Sequence, residues 1–180
     1  NLLQSLTKNK GIKLKNINFV KKLLTMPKIH LETTINADIQ TIFDLSRNID
    51  FHQESTAKTN EKAIAGKTSG LIELGETVTW RAKHLGFYQT LKTKIIEMES
   101  PKMFTDVMIQ GTFKSMKHQH IFEEKDGKTL MIDIFEFESP FGILGKIFSQ
   151  IFLKNYLKRF LLERNRMLKE IAESSLNNQF

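Results

Sequence analysis

Hydrophobic and polar residues follow two different periods in the first third of the chain. Ile29, Leu31 and Thr33 alternate with polar residues, which predicts a strand. Apolar residues then recur at helical spacing over 39–45, behind Asn36 or Asp38 as a cap, and a second helical turn covers 48–54. The pattern therefore predicts one strand followed by two short helices.

Strand-length runs alternate with turn-forming residues from residue 66 to residue 139. The turn positions are Gly75, Leu85-Gly86, Ser100-Pro101, Gly111 and Asp126-Gly127. Short connections of this kind join neighbouring antiparallel strands. The sequence thus predicts an antiparallel meander in this region.

Residues 145–174 have no internal glycine or proline and predict one long helix. The first half of this helix is apolar nearly all round: Ile147, Phe148, Ile151, Phe152 and Leu153. We expect this half to be buried on the sheet, and a membrane-facing surface is the alternative. The elements together predict an α+β fold, in which the long helix covers the apolar face of the sheet.

Alternation also predicts which side chains the sheet turns toward that helix, because residues two apart share a face. The expected inner face consists of Val78, Trp80, Ala82, His84, Phe87, Gln89, Leu91, Thr93, Ile95, Phe104, Asp106, Met108, Met116, His118, His120, Phe122, Met131, Asp133, Phe135 and Phe137. The assignment is least clear in the last strand, because its other face is also apolar.

The turns predict the register between the last three strands. A two-residue turn at Asp126-Gly127 places His120 opposite Asp133. A three-residue loop over 111–113 places Asp106 opposite His118. We therefore expect two His/Asp pairs side by side on the inner face, with His84 completing the cluster.

An unpaired buried hydroxyl, amide or imidazole costs about 1–3 kcal/mol, so the members of such a cluster need partners, and several kinds of chemistry supply them. The pairs could satisfy one another and fix the register, or they could orient the carbonyl or hydroxyl of a ligand. His-x-His with an aspartate can also supply three metal ligands, and a histidine oriented by an aspartate can act as a general base. No nucleophile motif, phosphate loop or dinucleotide fingerprint accompanies the cluster. From sequence we assign no catalytic residue, no metal and no cofactor.

Composition and charge narrow the class of protein. The chain has 180 residues, no cysteine and a net charge of +7. Six lysines lie in residues 1–25, which contain no acid, so the rest of the chain is close to neutral and a nucleic-acid partner is not expected. No apolar run reaches the roughly 18 residues of a membrane span. We expect a flexible basic extension over 1–25 and a single domain over 26–180.

Several segments resemble a known superfamily. They are Ile49-Asp50-Phe51-His52-Gln53-Glu54-Ser55-Thr56, the run from Gly70 to Trp80, Phe104-x-Asp106-x-Met108 continuing to His118-x-His120-x-Phe122, Met131-x-Asp133-x-Phe135-x-Phe137 with Pro140 and Gly142, and Glu163-Arg164-Asn165. With them, residues 27–173 resemble the SRPBCC superfamily of START, polyketide-cyclase-like and plant allergen-like helix-grip proteins. The chain is most similar to small bacterial stand-alone ligand-binding members, and residues 1–25 have no counterpart there.

This resemblance implies a curved antiparallel sheet wrapped around a long C-terminal helix, with a hydrophobic cavity between them. Members of the superfamily bind lipids, sterols, polyketides or other apolar molecules, and some are cyclases or aromatases. Fold alone does not fix which of these applies. His52 and Glu54 lie near the mouth implied for the cavity and are weaker candidates, since a solvated surface explains them equally well.

We therefore predict a cytoplasmic, noncatalytic binder of an apolar small molecule, such as a lipid, a polyketide or an isoprenoid. The predicted ligand-binding residues are Trp80, His84, Phe104, Asp106, Met108, His118, His120, Asp133 and Phe135. One alternative is a cyclase- or hydrolase-like enzyme with a His/Asp pair as general base. Another, less favoured, is a lipid carrier that docks on membranes.

Overall fold

The computed structural model describes residues 26–140 and 142–177 of the chain. Its strands are β1 (Lys28–Ile35), β2 (Lys62–Gly66), β3 (Thr77–His84), β4 (Phe87–Glu99), β5 (Met103–Gln110), β6 (Ser115–Lys125) and β7 (Lys128–Glu138). Its helices are α1 (Ile39–Ser46), α2 (Ile49–Ser55), α3 (Gly142–Phe148) and α4 (Lys154–Asn177), with a single 3₁₀ turn at Ala57–Thr59.

The strands of the described residues form one antiparallel sheet in the order β1-β7-β6-β5-β4-β3-β2. Strands β3 to β7 are a meander, as the turn spacing predicts. Strand β1 pairs with β7 and forms one edge of the sheet. The α+β helix-grip architecture is therefore confirmed: a curved sheet, two short helices after the first strand and a long C-terminal helix.

The register predicted for the last three strands is also confirmed. Asp126 and Gly127 have φ values of 53° and 70°, which a type I′ turn requires, and Lys125 pairs with Lys128. His120 consequently lies opposite Asp133, and Asp106 lies opposite His118. The loop between β5 and β6 runs over 111–114, one residue longer than expected.

Both short helices begin at a side-chain cap. The carboxylate of Asp38 accepts hydrogen bonds from the backbone N–H of Thr41 at 2.8 Å and from its hydroxyl at 2.6 Å. The side chain of Asn48 caps α2 in the same way, accepting from the backbone of Asp50 and Phe51. Asp38, rather than Asn36, is thus the cap of α1.

The long C-terminal helix is continuous from Gly142 to Asn177, because a π-helical turn at Ser149–Leu153 joins α3 to α4. It is longer than the predicted 145–174. Its α4 part packs on β1, α1 and α2. Leu168 packs with Phe43, Phe104 and Phe122 in one half of the core, and Leu157 and Leu161 pack with the inner faces of β1, β6 and β7 in the other.

Two sequence expectations about exposed apolar residues are wrong. Phe148, Ile151 and Phe152 are about half exposed, because residues 142–153 pack mainly on the adjoining helical turns and not on a strand. Phe87, expected on the inner face, is 74% exposed because it directly follows the β3–β4 turn. The expected inner faces of β3 at Val78, Trp80 and Ala82, of β6, and of β7 at Met131, Asp133, Phe135 and Phe137 are buried, and His84 at the end of β3 is half-buried.

Strand β2 is the one described strand that the sequence pattern does not predict. Its five residues, Lys-Ala-Ile-Ala-Gly, lie at the sheet edge and are mostly exposed, so they carry no apolar alternation. Among the residues that the structure describes, none of the helices combines the length and apolar character of a membrane span. The basic extension predicted for residues 1–25 lies outside the described residues, and a single domain over 26–180 stays a prediction.

Candidate functional site

A cavity of about 310 Å³ lies between the inner face of the sheet and the helices. Its wall is mainly apolar, with Trp80, Ile95, Phe104, Phe135 and Leu161 among the lining side chains. The lining residues exposed to solvent all lie at one end of the sheet: Leu85, Thr90, Thr112, Pro140 and Phe148. The cavity therefore opens between the β3–β4 turn, the β5–β6 loop and the start of the long helix.

Four ionisable side chains of β5, β6 and β7, which we call the His/Asp cluster, lie together in the sheet: Asp106, His118, His120 and Asp133. His118 Nε2 donates to Asp133 Oδ1 at 2.9 Å. His120 Nδ1 lies 3.0 Å from the same oxygen without hydrogen-bond alignment, and its Nε2 lies 3.5 Å from Asp106 Oδ1. Both histidines therefore share Asp133, and His120 bridges the two aspartates.

The long helix holds this cluster from the other side. Asn165 Nδ2 donates to Asp133 Oδ2 at 2.6 Å, so both oxygens of this fully buried carboxylate have partners. Thr33 Oγ1 of β1 also lies within 3.4 Å of the Asn165 amide nitrogen. Asp133 consequently joins β6, β7 and α4 at one point.

Burial and mutual contact set the charges of the cluster. Burial alone would raise the pKa of Asp133, but the hydrogen bond from His118 and the close imidazole of His120 hold it well below its usual value. Burial also opposes the charged form of Asp106, whose pKa is nevertheless lowered by His120. The pKa of His118 is lowered by burial and by its neighbour His120, whereas the two aspartates raise the pKa of His120 against burial. Both aspartates are thus carboxylates at neutral pH.

Aromatic contacts fix the orientation of the two imidazoles. The ring of Phe104 stacks on His120 with 4.2 Å between centroids, and the His118 and His120 rings are 3.8 Å apart. Phe135 meets His118 edge to face at 5.1 Å. The imidazoles can therefore present a ring nitrogen to the cavity with little rotational freedom.

A second polar group in the cavity wall, here the Arg164 group, consists of His52, Glu61 and Arg164. Arg164 Nη2 donates to the carbonyl of Ser46 at 2.9 Å, while its Nε and Nη1 are buried without a partner. Glu61 Oε1 lies 3.5 Å from His52 Nε2, and Glu61 Oε2 has no partner. Burial would raise the pKa of Glu61, but His52 and Arg164 lower it, so Glu61 is ionised.

A third polar contact, between His84 and Tyr156, lies nearer the opening. A hydrogen bond of 2.9 Å joins His84 Nδ1 to the Tyr156 hydroxyl, and Phe160 packs against the imidazole edge. Burial lowers the pKa of His84. The pair ties the end of β3 to α4.

Seven of the nine predicted ligand-binding residues line the cavity: Trp80, His84, Phe104, Asp106, His118, His120 and Phe135. Met108 is half-buried and packs near the second part of the core instead, and Asp133 lies behind the two histidines. His52 also lines the cavity, with its ring stacked on Trp80 at 4.1 Å, whereas Glu54 is exposed. Whether these side chains bind a ligand stays a prediction.

Two details of the predicted cluster are wrong. The expected contact of His120 with Asp133 is present at 3.0 Å, but His118, expected to pair with Asp106, donates diagonally to Asp133 instead. Side chains on a sheet reach diagonal neighbours as readily as direct ones, so register alone does not decide the partner. His84 does not complete the cluster, because its Nδ1 is engaged by Tyr156.

Sequence reasoning missed Glu61, Tyr156, Arg164 and Asn165 as site residues. A signal existed for two of them. Arg164 and Asn165 fall between Leu161 and Leu168 on the apolar stripe of the helix, where a polar residue must be buried. No comparable signal marks Glu61, which precedes the unpredicted strand β2.

No family model matches the sequence, and no curated protein sequence matches it either. Solved structures do match. Major latex-like protein 151 from Panax ginseng is 19% identical, with a TM-score of 0.62 over 82% of this chain and 97% of that one. The Zhui aromatase/cyclase from Streptomyces sp. R1128 is 11% identical, with a TM-score of 0.68 over 84% and 96%. The protein TTHA0849 from Thermus thermophilus is 13% identical, with a TM-score of 0.68 over 83% and 99%. These likenesses confirm the helix-grip fold that the sequence resemblance implies.

Proposed function

We propose that the protein binds an apolar small molecule with one polar end, which enters the cavity between the sheet and the long helix. Apolar wall residues such as Trp80, Phe104 and Phe135 contact the body of the ligand. The His/Asp cluster and the Arg164 group face its polar end. An apolar pocket with a few convergent polar groups is typical of small-molecule sites, and about 300–1,000 Å³ is their usual volume.

One observation carries this proposal. Four buried polar atoms without a hydrogen bond, namely His52 Nε2, Glu61 Oε2 and Arg164 Nε and Nη1, belong to residues that line the cavity. Leaving such atoms unsatisfied costs about 1–3 kcal/mol each, so the folded chain gains from a molecule or waters that pair with them. Since donors and an acceptor are both present, a polar end with hydroxyl or carbonyl character fits them.

The first experiment looks for a molecule that copurifies with the protein. Native mass spectrometry of the full chain is expected to show a fraction with the added mass of one organic molecule. The chain has one tryptophan, Trp80, which lines the cavity with 6% of its surface exposed. Its intrinsic fluorescence therefore reports whether the cavity is occupied, without a label. Titration with 1-aminoanthracene, a neutral aromatic probe, is expected to change this fluorescence saturably at one site per chain.

Filling the cavity tests its role. Ala82 is buried in the cavity wall, whereas Ala65 is exposed on β2. Ala82→Phe is expected to weaken probe binding at least tenfold, and Ala65→Phe is the matched control with unchanged affinity. Equal affinity in both variants, or no saturable binding to the unaltered chain, would contradict the proposal.

A specific observation also favours a second candidate function, a lipid carrier that docks on membranes. Exposed apolar residues surround the opening, and we call them the apolar rim: Leu85, Phe87, Ile143, Leu144, Phe148, Ile151 and Phe152. The segments that carry them, 77–96 and 142–162, contain lysines and arginines but no acid. An apolar surface bordered by cations suits a bilayer with anionic lipids.

Vesicle flotation separates this candidate from a binder that stays in solution. The carrier would float with phosphatidylcholine vesicles containing phosphatidylglycerol, less so at high salt, and weakly with phosphatidylcholine alone. The double change Phe148→Ser and Phe152→Ser would abolish flotation, and Leu74→Ser, at an exposed leucine outside the apolar rim, would not. If the protein floats with neither kind of vesicle, the membrane-docking carrier is ruled out.

A further inference from the structure

We propose that Asp106, His118 and His120 form a site for one divalent transition-metal ion of the zinc and iron class. One ligand atom from each of the three residues lies within 4.8 Å of the others. His120 Nε2 and Asp106 Oδ1 are 3.5 Å apart, and ligands placed tetrahedrally around zinc are about 3.4 Å apart. One pair is therefore already at ligand spacing, and the third residue lies close enough for a side-chain rotation to complete the set.

The sheet fixes the three residues relative to one another. Asp106 pairs with His118 across β5 and β6, and His120 pairs with Phe104 two positions along. His118 and His120 share the inner face because they are two residues apart on one strand. Two imidazoles and one carboxylate on rigid strands form a donor set that suits zinc, iron and related ions.

Asp133 occupies the position that supports metal-bound histidines in proteins. Its Oδ1 contacts Nε2 of His118 at 2.9 Å and Nδ1 of His120 at 3.0 Å, which leaves the other ring nitrogen of each imidazole for a metal. A carboxylate in this role fixes the ring orientation and makes the coordinating nitrogen more basic. Asn165 in turn holds the second oxygen of Asp133.

Charge balance in the cavity favours a dication over an anion. Among the described residues of the cavity wall and the His/Asp cluster, Asp106, Asp133 and Glu61 carry negative charge, and Arg164 is the buried cation that no carboxylate pairs directly. Arg47 is already paired with Asp44 and Glu73. As metal ligands the two imidazoles are neutral, and two negative charges would then stay uncompensated without the ion, which is costly in a buried site. One divalent ion cancels both.

The proposed ion keeps a coordination position open toward the cavity, since its three protein ligands come from the wall and all three line that cavity. A water molecule or the polar end of a bound molecule can fill this position. Metal binding itself needs no organic ligand, so the metal site and the proposed function hold or fail separately.

Metal titration of the untagged full chain tests the site. After treatment with a chelator, the protein is titrated with Zn²⁺ by calorimetry and with Co²⁺ by visible absorption. One ion per chain is expected, with a Co²⁺ spectrum of low symmetry. His120→Gln and Asp106→Asn are each expected to weaken binding at least tenfold, and Asp133→Asn about 10–100-fold, as for other residues that support metal-bound histidines.

His30→Gln is the matched control, because His30 is exposed on β1 and its ring bonds Glu32 away from the cavity. Its affinity for Zn²⁺ is expected to equal that of the unaltered chain. The proposal is overturned if the unaltered chain shows no saturable binding, or if His120→Gln and Asp106→Asn bind as tightly as His30→Gln.

A measurement on the unaltered chain covers the case in which a variant does not fold. Substoichiometric Mn²⁺ broadens proton NMR signals of nearby groups. The imidazole signals of His118 and His120 and the ring signals of Phe104 are expected to broaden first, since Phe104 stacks on His120. Broadening of His30 before these signals would overturn the proposal as well.

Discussion

Asn165, in the middle of the long helix, donates a hydrogen bond of 2.6 Å to Asp133 on the last strand of the meander. Both residues are almost completely buried. The bond links the helix to the carboxylate that His118 and His120 share, so helix position and cluster geometry depend on each other. A polar link of this kind gives the core one preferred arrangement in addition to its apolar packing.

Replacing Asn165 by alanine is therefore expected to destabilise the fold. The change leaves one oxygen of a buried carboxylate without a partner, and we expect the free energy of unfolding to fall by about 2–4 kcal/mol. Urea unfolding of both proteins measures the difference. Asn155→Ala is the control on the same helix, because Asn155 is exposed and its side chain donates to the backbone of Ile151. Equal loss in the two variants would show that the contact with Asp133 stabilises nothing.

The cap of α1 is expected to make a pH-dependent contribution to stability. Hydrogen bonds from the hydroxyl and the backbone of Thr41 lower the pKa of Asp38 below its ordinary value of 3.8. Because the folded value lies below the unfolded one, the stabilisation is complete above pH 3.8 and disappears as the pH falls through the folded value. Asp38→Ala is expected to cost about 1 kcal/mol at pH 7.

Unfolding measurements between pH 7 and pH 2 follow this contribution. The stability difference between the unaltered chain and Asp38→Ala is expected to stay constant down to about pH 5 and to shrink below pH 4. Asn48→Ala removes the cap of α2, which is a side-chain amide and does not titrate. The stability lost in this variant is therefore expected to be the same at every pH. A cost of Asp38→Ala that is the same at pH 2 and pH 7 would refute the expectation.

The His/Asp cluster allows a test between a binding protein and an enzyme. With the molecule that copurifies, His118→Gln is expected to lower the affinity about tenfold, which corresponds to about 1.4 kcal/mol. Neither the unaltered chain nor His118→Gln is expected to convert the molecule into a product. Affinity is read from Trp80 fluorescence and conversion by mass spectrometry, with His30→Gln as control. Conversion by the unaltered chain that His118→Gln loses while still binding would instead identify a general base.

The sheet and its register could be predicted from sequence because turn chemistry and alternation act locally. The Asp126-Gly127 turn sets the pairing of β6 with β7, and a one-residue slip would expose every inner side chain. The diagonal contact between His118 and Asp133 could not be predicted in the same way. It depends on side-chain rotamers and on Asn165, which lies 32 residues away on another element.

The exposed start of the long helix shows a different limit of sequence reasoning. The apolar character of Phe148 and Phe152 indicates that these residues prefer to leave water, but it does not show whether a strand lies opposite them. Arg164 shows the converse case. Its place on the apolar stripe indicates burial, yet its incomplete pairing depends on Glu61 and Ser46, which come from distant parts of the chain.

Gly66, at the end of β2, offers a test of how tightly the sheet edge is built. Its φ is +76°, and a Cβ at this position would lie 2.2 Å from the carbonyl oxygen of Thr77, which also accepts a hydrogen bond from Lys67. Gly70 has a nearly equal φ of +70°, but a Cβ there meets nothing within 4 Å. An alanine at either position therefore has the same unfavourable backbone conformation, but only an alanine at Gly66 clashes with Thr77.

Gly70→Ala is expected to lower the free energy of unfolding by about 1 kcal/mol, the usual cost of left-handed backbone for alanine. Gly66→Ala is expected to cost at least about 2 kcal/mol, because the backbone of β2 must move away from β3 and weaken the bond from Lys67 to Thr77. Urea unfolding of the two variants measures the difference directly. If both lose the same amount, the close approach of β2 to β3 at Thr77 does not exist in solution.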